Sequence, residues 1–246
     1  MKIALALLTA SIASAQFFPF PGPGSKGSGG GGGGGNATFK SSSQQNVDAA
    51  GTTISTPGTL NVAAGDLIVV GVATSAASAP TITVACGVDS LTQIQQIFDS
   101  DDGPYAIALF YKENATANAT ATCTATTPNQ AFRAIGAANY SGIVTSSSLM
   151  GSSCNGASCN DLSVSTTNRT AQNIVTANKG LLVAFIIDWN GTTHTAANGY
   201  TLRYDGTTPA YLDKVGQAAG TYPSGNFSTV SPTDNYLAIF AAFREL

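Results

Sequence analysis

Apolar side chains along this chain fall in short unbroken or alternating runs, and almost none follow the 3.6-residue spacing of an amphipathic helix. Leu67–Ala73 (LIVVGVA), entered from the turn Ala64-Gly65-Asp66, and Gly180–Ile187 (GLLVAFII) are continuous runs, which predicts two central strands of a sandwich. Further strands are predicted over 81–86, 91–98, 105–112, 118–126, 131–140, 200–204, 210–216 and 236–244, each bounded by clusters of Gly, Pro, Asn, Asp and Ser. Glu, Lys and Arg, the surface helix formers, are scarce while Thr and Val are plentiful, so propensity agrees with pattern. The fold expected is all-β: a two-sheet antiparallel β-sandwich of jelly-roll type.

A duplication is visible beneath this pattern. Residues 65–72 (GDLIVVGV) resemble 179–186 (KGLLVAFI), and 132–138 (FRAIGAA) resemble 237–243 (LAIFAAF). Two copies of one strand set suit a jelly roll, which is built from two Greek keys.

The N-terminal pattern differs in kind. Lys2 precedes the apolar run Ile3–Leu8, and small residues close the segment at Ala13-Ser14-Ala15, as in a secretory signal peptide cut before Gln16. The run is far short of the about 18–20 residues a membrane span needs, and no later run approaches that length, so no membrane span is expected. Residues 16–35 (QFFPFPGPGSKGSGGGGGGG) deny a helix its donors and a strand its packing, and read as a flexible linker. Its head carries Phe17, Phe18 and Phe20, apolar enough for a docking arm. The organisation expected is a signal peptide over 1–15, a linker over 16–35 and a single β domain over 36–246.

Only 9% of the 246 residues are charged, and the formal net charge is −3, against about 25% charged in an average soluble domain. No basic field exists to hold a phosphate backbone, so nucleic acid is not an expected partner. Positive mean hydropathy at this length allows a sizeable core and argues against general disorder.

The order NVAAGDLIVVGVAT, YAIALFYKENATANATATCTATTP, FRAIGAANYSGI, NKGLLVAFIIDW and YLAIFAAFRE resembles β-sandwich modules of secreted surface and adhesin-like proteins, over roughly residues 60–246. The resemblance implies a non-enzymatic module and transfers no binding residue, because the motifs describe the core.

Four cysteines in an exported chain point to disulfides. Cys154 and Cys159 share a Gly- and Asn-containing loop, which pairs them and leaves Cys86 with Cys123 on neighbouring strands. Seven sequons, at Asn36, Asn114, Asn118, Asn139, Asn168, Asn190 and Asn226, are glycosylation candidates, and glycans there would hydrate a surface short of charge.

Catalytic signatures are sparse. The two glutamates, Glu113 and Glu245, make a poor glycosidase pair, His194 is the lone histidine with no Gly-X-Ser-X-Gly elbow, and no phosphate-binding loop is present. No cofactor is expected. Asp99, Asp101 and Asp102 before Gly103 could hold calcium, although a polar hairpin turn between two strands accounts for them without a metal. Trp189, the single indole, is a candidate for stacking on a sugar ring, with Tyr204 and Tyr211 as further aromatic candidates at one sandwich end.

The function expected is that of a secreted, non-enzymatic cell-surface or extracellular-matrix module whose partners are extracellular glycans or matrix and surface proteins. A lectin-like carbohydrate-binding module is the alternative, and an Asp-based hydrolase the third. Export predicts a mature N-terminus at Gln16. Mass spectrometry of the N-terminal peptide from secreted material checks it, and intact Met1 there would refute it.

Overall fold

A computed structural model describes residues 36–99, 105–154, 168–169, 174–188, 194–196, 198–205, 209–222, 227–229 and 236–246, all within the compact unit Gly34–Leu246. The predicted signal peptide and linker lie outside them. The first half carries β1 (Thr38–Ser55), β2 (Leu60–Val62), β3 (Leu67–Ser75), β4 (Thr83–Cys86), β5 (Asp89–Ser90), β6 (Thr92–Asp99), β7 (Tyr105–Lys112), β8 (Asn118–Ala121) and β9 (Cys123–Ser141). The second half carries β10 (Leu149–Cys154), β11 (Asn168–Arg169), β12 (Ile174–Thr176), β13 (Gly180–Asp188), β14 (His194–Ala196), β15 (Thr201–Asp205), β16 (Ala210–Gln217), β17 (Gly220–Tyr222), β18 (Phe227–Thr229) and β19 (Tyr236–Arg244).

The architecture is all-β and antiparallel, as the pattern predicts, but the expected pair of sheets is a simplification. Among the described residues the strands form five sheets. The largest has the order β5-β4-β9-β3-β7-β6, with β1 paired along β9; the next has the order β10-β19-β13-β16-β15. Sheets β11-β18-β14, β12-β17 and β2-β8 complete the set.

The seven-stranded sheet curls, and β9 is the reason. Its Cys123–Thr126 segment pairs with β4 and its Arg133–Tyr140 segment with β3, while β1 follows it on the opposite edge. Between those segments lies Pro128, which has no ladder donor, and there the β1 register shifts on both sides of Gly51. The bend folds the β4 arm over the outer face of β3 and β7. Ile68, Val70, Val72 and Phe110 are thereby enclosed with Val84, Ala125 and the Cys86–Cys123 disulfide. The inner face of the same strands presents Leu67, Val69, Ile107 and Leu109 to Leu181, Val183, Phe185 and Ile239 of the second sheet. The continuous apolar runs of β3 and β13 are therefore buried on both faces.

The duplication is structural, and two irregularities prove it. In β1 an extra residue, Lys40, sits between Phe39 and Ser41 opposite Tyr140 and Asn139; in β10 the extra residue is Met150, between Leu149 and Gly151 opposite Phe243 and Ala242. In β6 the extra residue is Ile94, between Gln93 and Gln95; in β15 it is Arg203, between Leu202 and Tyr204. Bulges mark fixed register positions, so two shared bulges align the copies residue by residue. That alignment keeps Gly65–Val72 against Lys179–Ile186. It corrects the other sequence match by two positions, setting Ala138 against Ala241 and Tyr140 against Phe243.

Glycine sets the closest approach of the two sheets. A Cβ on Gly71 would overlap the Phe185 ring, and one on Gly136 would overlap the Tyr204 hydroxyl, as expected where backbone must come close to a neighbour. Gly71 and Phe185 are equivalent positions in the two copies, so one copy supplies the gap and the other fills it. Gly71→Val should cost about 1–3 kcal/mol by overpacking and Phe185→Ala about 3–5 kcal/mol by cavity formation. The double variant should be more stable than the sum of the two losses implies, by about 1 kcal/mol or more. Urea unfolding of the four proteins measures this, and strict additivity would refute the complementary contact.

Candidate functional site

The aromatic residues expected at one sandwich end lie in the middle of the protein. Tyr211 is fully buried and Tyr204 is 9% exposed, their rings stacked 5.5 Å apart between the sheets. No sugar reaches them, and the lectin assignment of this pair is corrected. The sequence misled because Tyr is at home on a surface, whereas here the Tyr204 ring fills space that Gly136 leaves open and stacks on Tyr211.

Around Tyr211 lies the most concentrated polar group of the core. Tyr140 of β9 donates its hydroxyl to Asp213 Oδ2 at 2.8 Å and lies 3.0 Å from the Tyr211 hydroxyl. Arg203, the bulge residue of β15, donates Nε to the same carboxylate oxygen at 2.7 Å, and its guanidinium stacks over the Phe39 ring at 3.9 Å. Bulging turns Arg203 towards the gap between the sheets, where its alignment partner Ile94 packs against the core. Burial pushes the phenols of Tyr140, Tyr204 and Tyr211 well above their ordinary value, and the nearby Asp213 charge pushes Tyr140 in the same direction. The group is thus a carboxylate held by one cationic donor, Arg203, and one neutral donor, the Tyr140 hydroxyl. It joins β9 and β1 of one sheet to β15 and β16 of the other.

His194, the lone histidine, is buried in β14. Its Nδ1 lies 2.8 Å from Asp205 Oδ1, and its backbone N donates to Asp205 Oδ2 at 2.9 Å. Of the calcium candidates Asp99 is buried at the end of β6, and Asp101 and Asp102 lie outside the described residues. Among the described residues no group of three or more His, Cys, Asp or Glu side chains gathers around one point. Trp189 also lies outside them, as do Cys159, Asn190 and Asn226.

The disulfide between Cys86 and Cys123 is formed, joining directly opposed residues of β4 and β9. Its loop, closed across a separation of 37 residues, is worth about 4 kcal/mol on the chain-entropy account. Cys154 is buried at the end of β10.

Among the sequons, Asn36 and Asn114 are exposed, Asn118 is half-buried, and Asn168 lies in β11. Asn139 is a correction. It is fully buried, with its amide donating to Asn61 O at 2.9 Å and to Asp66 Oδ2 at 3.1 Å, so no glycan fits there. Asp66 also accepts from Lys40 Nζ at 2.7 Å and from Ala63 N at 2.8 Å. The readable signal for both polar groups was a charged or amide side chain set inside an apolar strand, as in AYLDKV and GAANYS.

An open cleft of about 420 Å³ lies where the curled arm meets β6 and β7. Ile82, Val84, Leu91 and Phe110 supply apolar lining, Thr83, Ser90, Gln93, Thr124 and Thr126 supply hydroxyls and an amide, and none of the lining residues is ionisable. Sequence reading did not find it, because it is assembled from one to three residues of each of β4, β5, β6, β7 and β9, brought together only by the curl of the sheet.

No family model matches this chain, and neither the characterised proteins nor the solved structures compared with it yield a match. The resemblance to secreted surface modules extends to the all-β fold and no further.

The raised phenols carry a sign. The folded state holds them neutral above the ordinary phenol pKa of about 10. Their contribution to stability is complete below that pH and is lost as pH rises towards the folded-state values. Tyr140, Tyr204 and Tyr211 should therefore ionise together with unfolding, seen as coincident phenolate absorbance and circular dichroism transitions. Tyr140→Phe should lower stability at neutral pH by about 1–2 kcal/mol and make the alkaline loss less steep. Phenolate formation by all three in a protein that remains folded would refute their placement.

Proposed function

We propose that this chain is an exported, non-catalytic β module of jelly-roll descent that acts by contact, at a cell surface or in an extracellular matrix, from a Gly-rich segment. One observation carries the reading. The reactive side chains of the described body are engaged with one another: Asp213 with Arg203 and Tyr140, Asp66 with Lys40, Glu245 with Lys179, and His194 with Asp205. Glu113 caps the backbone of Ser147 and Ser148, and those hydrogen bonds outweigh its partial desolvation and hold its carboxyl below the usual range. Groups so engaged stiffen a scaffold. A protein disulfide suits an oxidising compartment, and the low charge suits an uncharged extracellular partner.

A lectin-like reading is favoured by the cleft alone. Its mixture of apolar lining, hydroxyls and an amide, without charge, matches a neutral sugar better than an anionic or cationic ligand.

Deleting 16–35 should shift Tm by less than about 2 °C, because a Gly-rich segment buries little. The same deletion should weaken retention at the producing cell's surface or matrix. A glycan array with the full chain separates the readings: binding of neutral glycans that Thr124→Arg abolishes favours the lectin, and silence favours the structural module. Turnover of a polysaccharide or ester panel that His194→Ala or a single Asp→Ala abolishes would overturn both.

A further inference from the structure

We propose that Lys40 and Asn139 join in an intramolecular amide cross-link between β1 and β9, with Asp66 as proton carrier and Ser41 as the donor that holds the carbonyl oxygen. The β1 bulge is what assembles the group. It sets Lys40 beside Ser41 where a regular ladder would place one residue, so Ser41 reaches Asn139 and Lys40 reaches Asp66, which itself touches Asn139. Ser41 Oγ donates to Asn139 Oδ1 at 2.5 Å. Asp66 Oδ2 lies 2.7 Å from Lys40 Nζ and 3.1 Å from Asn139 Nδ2, so a single oxygen touches both the attacking and the departing nitrogen. Asn139 is fully buried and Asp66 is 3% exposed.

A carboxamide resists amines in water because its carbonyl is weakly electrophilic and its nitrogen is a poor leaving group. Here each obstacle meets a placed group. The Ser41 hydroxyl stabilises the negative charge that develops on Oδ1. Asp66 removes a proton from Lys40 Nζ, and the freed amine attacks Asn139 Cγ to form the Nζ–Cγ bond. The tetrahedral carbon then loses Nδ2, to which Asp66 passes the proton, and the Cγ–Nδ2 bond breaks. The lysine ammonium and the carboxamide become one secondary amide and one ammonium ion, with no change of oxidation state. Fixed proximity replaces a bimolecular encounter, and burial keeps water from competing for the carbon.

The second copy supplies an internal comparison. At the positions equivalent to Lys40, Ser41, Asp66 and Asn139 it carries Met150, Gly151, Gly180 and Ala242, so all four reactive groups are missing together. The Met150 methyl occupies the space that a Cβ on Gly180 would need. The same bulge therefore packs with an apolar set, and buried charge is not a requirement of the fold.

Peptide mapping by mass spectrometry of the purified full chain, folded and then denatured, tests the proposal. The expected result is a linked peptide containing Lys40 and Asn139, lighter by one ammonia (about 17 Da) than the sum of its parts, with trypsin unable to cut after Lys40. Localisation to this pair separates it from cyclisation of an N-terminal glutamine or from a succinimide. Lys40→Arg should restore separate peptides. Ser41→Ala should slow closure by about 10²–10³-fold, read as the uncross-linked fraction over time. Recovery of the wild-type chain with Lys40 cleavable and Asn139 in an unlinked peptide would overturn the proposal, whatever the variants do. A link that persists undiminished in folded Asp66→Asn would overturn the role assigned to Asp66.

Discussion

A β-strand with a continuous apolar run has two faces to keep from water, and a flat sheet with one partner covers only one of them. β3 and β13 both carry this constraint. Their inner faces are covered by each other's sheets, which is what the duplication provides. Their outer faces need a second cover, and in the first copy the β9 bend supplies it by carrying β4 and the Cys86–Cys123 disulfide across β3 and β7. In the second copy Leu182, Ala184 and Ile186 have an outer cluster of their own, reaching Ile174 of β12 and Tyr222 of β17. Curl, long strands and small accessory sheets thus follow from burying two apolar strands completely.

Between the sheets the two copies have diverged in a complementary way. Tyr111 of the first copy packs its ring against Phe243 of the second at 5.6 Å. The equivalent pair, Asp213 and Tyr140, makes a hydrogen bond instead. One side of the interface is greasy and the other is polar, from the same backbone positions. A buried carboxylate is tolerated only with charge and donors directed at it, and Arg203 and Tyr140 fill that need. Close approach at Gly71 and Gly136 makes the remaining room for Phe185 and Tyr204.

What was legible in the sequence divides along the same physics. Unbroken apolar runs located β3 and β13, and bounding clusters of turn residues located β6, β7, β15, β16 and β19, because hydrophobic pattern reports burial directly. β1 was missed. Its SSSQQNVDAAG stretch has no apolar period, and its strand state comes from the β9 ladder rather than from its own side chains. The Cys86–Cys123 pairing was readable because so few connectivities exist. Tyr204 and Tyr211 were expected at one sandwich end, although they are buried against Gly136 and Tyr140, partners distant in sequence that composition cannot reveal. Asn139 shows the same limit, since a sequon is a local pattern and burial is not.

The β1 bulge has a consequence for how the chain finds its partner. Ser41, Ser42, Ser43, Gln44 and Gln45 offer nearly interchangeable side chains, so a slide of β1 along β9 would change little in the run itself. A shift by one residue would, however, turn Phe39 away from Tyr140 and Arg203, where its ring is now held. With Lys40 looped out between Phe39 and Ser41, the irregular step can be satisfied at one place only, and it acts as an index mark on an otherwise featureless ruler. A polar strand that could misalign in many ways is thereby given a single correct setting, fixed at the end where it begins.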